Sequence, residues 1–140
     1  MSAKVFVDTN VLVYAHDVDA GPKQRTAENV LEGLRQRGLG VLSMQVLQEF
    51  YNTATRKLAS RLPKEEARAI VDDFSHWCVA ITPTEIKQAF LIEDAARIGF
   101  WDALIVAAAI KAGATRILSE DLNPGQMIAG IRIENPFSAP

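Results

Sequence analysis

The sequence predicts an α/β domain whose mainly parallel sheet is covered by helices on both faces. Short β-type apolar runs alternate along it with longer amphipathic stretches, and helix-boundary residues punctuate the joins at Gly38, Ser43, Pro63 and Thr82-Pro-Thr-Glu85. Its 140 residues, 49% hydrophobic and 23% charged, suit one domain with a real core spanning 1–140 and leave no room for a second.

Lys4 to Val7 reads as the first strand, followed by a short helical piece from Val11. Lys23 to Arg37 places Ala27, Val30, Leu31 and Leu34 on one stripe, with Gly38 as C-cap, and Gly40 to Leu42 is a second strand. Ser43 is positioned to cap a helix that turns Val46, Leu47, Phe50, Ala54 and Leu58 toward the core. Pro63 stands in the first turn of the next helix, which carries Ala67, Ile70, Val71, Phe74 and Cys78 at helical spacing.

Val79 to Ile81 is expected as a third strand. Thr82 to Glu85 forms a capping box that starts a helix ending at Gly99. Trp101 to Lys111 is apolar nearly all round, the mark of a buried central helix, with Asp102 in its first turn. Thr115 to Leu118 is another strand, Asn123-Pro-Gly125 a turn, and Ile131 to Ile133 an expected edge strand.

Composition narrows the function. The formal charge is −2, which neither drives nor forbids contact with nucleic acid, so the distribution of charge decides. Cys78 is alone and cannot form an internal disulfide, and Met1 leads into Val5-Phe-Val7 without signal-peptide architecture. The longest apolar run, Ala103 to Ile110, is too short to span a bilayer. A soluble cytoplasmic protein with no membrane partner is expected. His16 and His76 have no cysteine or second histidine at ligand spacing, which excludes an ordinary zinc site.

Asp8 follows the first strand and Asp121 lies just past the Thr115 to Leu118 strand, so both fall on the sheet edge where open parallel sheets bind ligands. Glu49 and Asp102 occupy early turns of helices that can begin at that edge. Four carboxylates gathered there repel one another unless a cation relieves them, and an oxygen-only donor set suits Mg²⁺ or Mn²⁺. Such a site can hydrolyse a phosphodiester, with Thr9, Asn10 and Ser119 as polar supports.

Arg56, Lys57, Arg61, Lys64 and Arg68 form a cluster able to meet RNA phosphates. Tyr14, Phe100 and Trp101 offer rings for stacking on bases, although aromatic residues beside apolar runs more often pack. Taken singly, each acid also has an ordinary structural use. Asp8 and Asp102 suit helix N-termini and Asp121 suits the turn that follows, while Glu49 lies about 140° from the middle of its helix's apolar stripe.

The residues Val7-Asp-Thr-Asn-Val-Leu-Val-Tyr-Ala15, Gln48-Glu-Phe50, Phe100-Trp-Asp-Ala-Leu-Ile-Val-Ala-Ala108 and Leu118-Ser-Glu-Asp-Leu122, with the closing Asn135-Pro-Phe137, together resemble the PIN-domain ribonucleases, especially the VapC-like toxins of type II toxin–antitoxin systems. The resemblance spans essentially the whole chain and implies a three-layer α/β/α fold. It also implies Asp8, Glu49, Asp102 and Asp121 as metal-binding catalytic carboxylates supported by Thr9, Asn10 and Ser119, an RNA substrate, a homodimer and a cognate antitoxin. Two readings stand beside the toxin: a PIN-type nuclease that trims or matures RNA or cuts structured DNA without being a toxin, and a non-catalytic module whose acidic pocket serves signalling or binding, a phosphoacceptor domain of receiver type included. Against the receiver, Ile117-Leu-Ser119 offers no lysine at the pocket.

Overall fold

The computed structural model describes residues 3–138. In chain order the elements are β1 (Lys4–Val7), α1 (Thr9–Ala15), α2 (Pro22–Arg37), β2 (Gly40–Ser43), α3 (Met44–Arg56), α4 (Lys64–Phe74), β3 (Cys78–Val79), α5 (Pro83–Ala96), α6 (Phe100–Lys111), β4 (Ala114–Leu118), β5 (Met127–Ile128) and β6 (Ile131–Glu134). The six strands form one sheet in the order β3-β2-β1-β4-β6-β5, parallel throughout except for the β5–β6 pair. Val5, Phe6 and Val7 are consecutive yet all buried, so β1 is covered on both faces, as a central parallel strand is.

Local chemistry explains most boundaries. Gly38 takes the left-handed conformation (φ 66°) that closes α2, which residues with a Cβ adopt only at a steric cost. Thr82 and Glu85 form the expected reciprocal capping box of α5, with Pro83 in the first turn. Residues Ala103 to Ala109 of α6 are all buried, which accounts for the helix's lack of a polar face.

Several expectations need correction. The Ile131–Ile133 segment is not at the edge: β6 lies between β4 and β5, and the edge strand is the two-residue β5, too short to register as a pattern. Cys78 belongs to β3 rather than to α4, because the chain leaves α4 at Phe74 and passes through a 3₁₀ turn, Ser75–Trp77. The third strand therefore covers Cys78–Val79 and stops before Ile81. Ser43 sits at the N-cap of α3 without a capping bond, its buried hydroxyl unpartnered among the described residues. α1 begins at Thr9, two residues before Val11, and α5 ends at Ala96, with Arg97 left-handed before Gly99.

α3 and α4 form an antiparallel hairpin, since Arg68 of α4 meets Tyr51 of α3 and Val71 shares a hollow with Met44 and Leu47. Leu62 closes its tip by donating its N–H to the Ala54 carbonyl at 2.9 Å. No helix is long and apolar enough to cross a membrane among the described residues.

Candidate active site

From β1 the chain steps outward to β2 and β3, then returns to lay β4 on the other side of β1. The crevice between the carboxyl ends of β1 and β4 is thus the point where strand order reverses, the usual ligand position in an open parallel sheet. Asp8 leaves β1 there and Ser119 leaves β4 beside it, with the Asp8 N–H donating to the Leu118 carbonyl at 3.0 Å.

Asp8 is buried, 7% exposed. One carboxylate oxygen accepts the Thr9 N–H at 2.7 Å and the other accepts the Ser119 hydroxyl at 2.7 Å. Burial nonetheless dominates and raises its pKa to about 6, with Asp121 and Glu49 adding to the rise against the two hydrogen bonds. The Ser119 hydroxyl also accepts the Asp121 N–H at 3.1 Å, and the Asn10 side-chain amide reaches the Asp121 carboxylate at 3.2 Å. Asn10 accepts the Glu120 N–H at 3.1 Å, so its amide clasps the turn from both ends.

The other two acids come from helices. Glu49 lies in the second turn of α3, where its carboxylate accepts the Thr9 hydroxyl at 3.2 Å and the Gln45 amide at 2.9 Å. The Gln45 amide also reaches the Trp101 carbonyl at 3.4 Å, tying α3 to the first turn of α6. Asp102 is half-buried in that turn. Its pKa is raised by burial and then by Asp121 and Glu49, with no hydrogen bond to offset them. Asp121 and Glu49 thus act on both Asp8 and Asp102, and the three predicted supports each bond to at least one of the four carboxylates.

Among the described residues no three acidic, histidine or cysteine side chains stand close enough to clasp an ion directly. The donor set still fits hydrated Mg²⁺ or Mn²⁺, because such ions keep several waters and need only one or two carboxylates plus substrate phosphates. Asp121 and Glu49 raise both Asp8 and Asp102, and that shared field is one a cation would relieve.

The predicted basic cluster lies elsewhere. Arg56 is seven residues beyond Glu49, about 10 Å along α3 at the helical rise, and Lys57, Arg61 and Lys64 follow around the hairpin tip. All of them are exposed. Arg68 is drawn back along α4, donating to the Tyr51 hydroxyl at 3.2 Å. Each of the aromatic candidates packs against another ring, Trp101 against Phe100, but Trp101 is also 65% exposed and shares a hollow with Gln45, Gln48 and Glu49.

Sequence reasoning missed Gln45 and the use of Glu120. The Glu120 carboxylate is taken up by Lys23 and Tyr14, each at 2.6 Å. Burial acts to raise its pKa, but those bonds prevail and lower it. A signal was present: Asn10 and Tyr14 are four residues apart on α1, so both face the same turn.

The PIN domain profile matches residues 5–127. No curated protein matches the sequence. Among solved structures, the chain is similar to one in a toxin–antitoxin complex from Klebsiella pneumoniae, with a TM-score of 0.72 at 16% identity over 97% of this chain and 100% of the other. It is similar to one in VapBC2 from Rickettsia felis, bound to a DNA fragment from its promoter, with a TM-score of 0.62 at 21% identity over 94% and 97% of the two chains. It is also similar to VapC20 of Mycobacterium tuberculosis, a toxin that cleaves the sarcin–ricin loop, with a TM-score of 0.63 at 19% identity over 92% and 99%. At these identities the structural likeness establishes the fold.

Proposed function

The chain belongs to the PIN-domain family, and from that premise we propose that it is a Mg²⁺- or Mn²⁺-dependent endoribonuclease, the toxin of a type II toxin–antitoxin pair held silent by a cognate antitoxin in the cytoplasm. The observation that carries the reading is geometric: Thr9 bonds both Asp8 and Glu49, Ser119 bonds Asp8 and the Asp121 N–H, and Gln45 bonds Glu49 and the Trp101 carbonyl beside Asp102. Acids far apart in sequence thus meet at one hollow, where Asp121 and Glu49 push up Asp8 and Asp102. When bound, a divalent cation supplies charge stabilisation at the phosphoryl group and a more acidic attacking water.

The protein's own part is to hold that hollow in place. Ser119 and the Thr9 N–H fix both oxygens of Asp8, Asn10 orients Asp121, and Thr9 with Gln45 orients Glu49. Asp102 presents its carboxylate from the head of a buried helix, where rigid packing of α6 limits its movement. The Arg56, Lys57, Arg61, Lys64 and Arg68 cluster is suited to steering an RNA backbone toward the hairpin rather than gripping the reacting phosphate.

Two surfaces support protein partners. A hollow of about 460 Å³ between α3 and α4, lined by Met44, Leu47, Tyr51 and Val71, fits an apolar segment of an antitoxin. Exposed Ile86, Phe90 and Leu91 on α5 fit a second copy of the chain in a homodimer. Both of the relatives from Klebsiella and Rickettsia were solved as toxin–antitoxin assemblies, which favours the toxin reading over an RNA-processing nuclease.

The test is cleavage of a mixed RNA pool with Mg²⁺ or Mn²⁺, with and without chelator, followed by sequencing of product ends. Metal-dependent cleavage at recurring positions is expected, and its loss in Asp8→Asn. Cleavage that persists in chelator, or none with either metal, would overturn the reading.

A further inference from the structure

Glu120 lies between Ser119, whose hydroxyl donates to Asp8, and Asp121, whose carboxylate accepts from Asn10. Its own side chain is held from two helices. Oε1 accepts the Tyr14 hydroxyl of α1 at 2.6 Å, and Oε2 accepts Nζ of Lys23, in the first turn of α2, at 2.6 Å. The Lys23 ammonium stands 4.9 Å from the centroid of the Tyr14 ring and 5.9 Å from that of Phe137. Those two rings meet edge to face at 5.0 Å, and the Phe137 N–H donates to the Asn135 side chain at 2.8 Å. The closing Asn135-Pro136-Phe137 motif thereby places a second ring beside the partly exposed lysine.

The geometry points to a positioning role for Tyr14, Lys23, Glu120 and Phe137: they fix the Ser119–Asp121 turn, and through it the Asp8 and Asp121 carboxylates, while touching neither RNA nor cation. This rests on the nuclease reading, since the groups being positioned are its carboxylates. Lys23 and Glu120 are partly exposed, and an ion pair of that kind adds little to stability by itself. What α1 and α2 do together is bring two partners to the one residue that separates two site groups, while Phe137 packs against both of those partners. Asn10 holds the same residue's backbone N–H at 3.1 Å, so the turn is fixed at both main chain and side chain. Partners of this kind around metal ligands are worth about ten- to a hundredfold in metal affinity or activity.

The experiment compares the parent chain with Tyr14→Phe, Glu120→Gln and Glu120→Ala. Three readouts are taken: the Mg²⁺ concentration that half-saturates the rise in melting temperature without RNA, hydrogen exchange at the Glu120 and Asp121 amides, and kcat and KM for RNA. Glu120→Ala is expected to raise half-saturating Mg²⁺ by at least about tenfold, with Tyr14→Phe smaller in the same direction. Both amides should exchange faster, and kcat should fall while KM changes by less than about twofold. Glu120→Gln keeps an acceptor for Tyr14 and Lys23 and should recover most of the loss.

Parental Mg²⁺ half-saturation and kcat in Glu120→Ala, alongside a lowered melting temperature, would overturn the positioning role and leave the nuclease reading standing. If that variant does not fold, Tyr14→Phe, which loses a single oxygen, decides the matter on the same readouts. A parent chain with neither Mg²⁺-dependent stabilisation nor cleavage would fell the nuclease reading, and the positioning role with it.

Discussion

The strand side and the helix side of the acidic hollow are built differently. Asp8, from β1, is buried and has both oxygens occupied by hydrogen bonds, and Asp121 beyond β4 is tied to Asn10. Across from them Glu49 is exposed, and Asp102 is raised by burial and two like charges with no hydrogen bond in compensation. Hydrogen bonds therefore hold both strand-side acids and also Glu49, which accepts from Thr9 and Gln45, whereas Asp102 has none to offset the like charges around it. A site of this kind preorients three of its acids and leaves Asp102 to respond to the ion.

Removing a charge from either side is the strongest way to probe that contrast. Asp8→Asn and Asp102→Asn should each reduce RNA cleavage by more than the ten- to hundredfold typical of losing a supporting partner. Their effects on the metal-free fold should separate. Asp102→Asn relieves an uncompensated charge and should raise the melting temperature, while Asp8→Asn surrenders an acceptor that Ser119 uses and should gain less or lose. Equal shifts in calorimetry would remove the distinction between the sides.

The supports sharpen it further. Ser119→Ala removes one of the two bonds that lower the Asp8 pKa, so activity should fall about tenfold or more and the acid limb of the pH–rate profile should move upward. Thr9→Val deletes one 3.2 Å bond to Glu49, worth about 1 kcal/mol, and leaves the Gln45 bond in place, so the loss should be severalfold at most. Kinetics showing the reverse order would contradict the comparison.

The smallest effect concerns pH. Asp8 binds its proton more tightly folded, at about 6, than at the model-peptide value of 3.8, so metal-free stability should increase as pH falls through that interval and be lower above it. Between about pH 7 and about pH 5 the gain is about 1 kcal/mol, measurable by denaturant titration. Saturating Mg²⁺, competing with the proton, should flatten or invert the slope.

The sequence revealed the parts of this site that depend on local position. Asp8 after a strand and Asp102 at the head of an apolar helix were visible because strand ends and helix starts follow from hydrophobic period and capping. β5 was invisible, since two residues cannot display a period, and with it went the interior position of β6. Ser43 looked like a cap because residue type is legible while hydroxyl direction is not. The Tyr14–Glu120 bond joins residues 106 apart, a pairing set by which strands become neighbours rather than by any local preference.

A titration of Mn²⁺ into the parent chain and into Asp8→Asn, Glu49→Gln, Asp102→Asn and Asp121→Asn, followed by electron paramagnetic resonance, asks most directly whether the two sides share one ion. Each substitution should weaken the same binding event, by about tenfold or more for the two buried or half-buried aspartates. Parental affinity in the strand-side variants with loss confined to the helix side, or the reverse, would show that the four carboxylates do not serve a single cation.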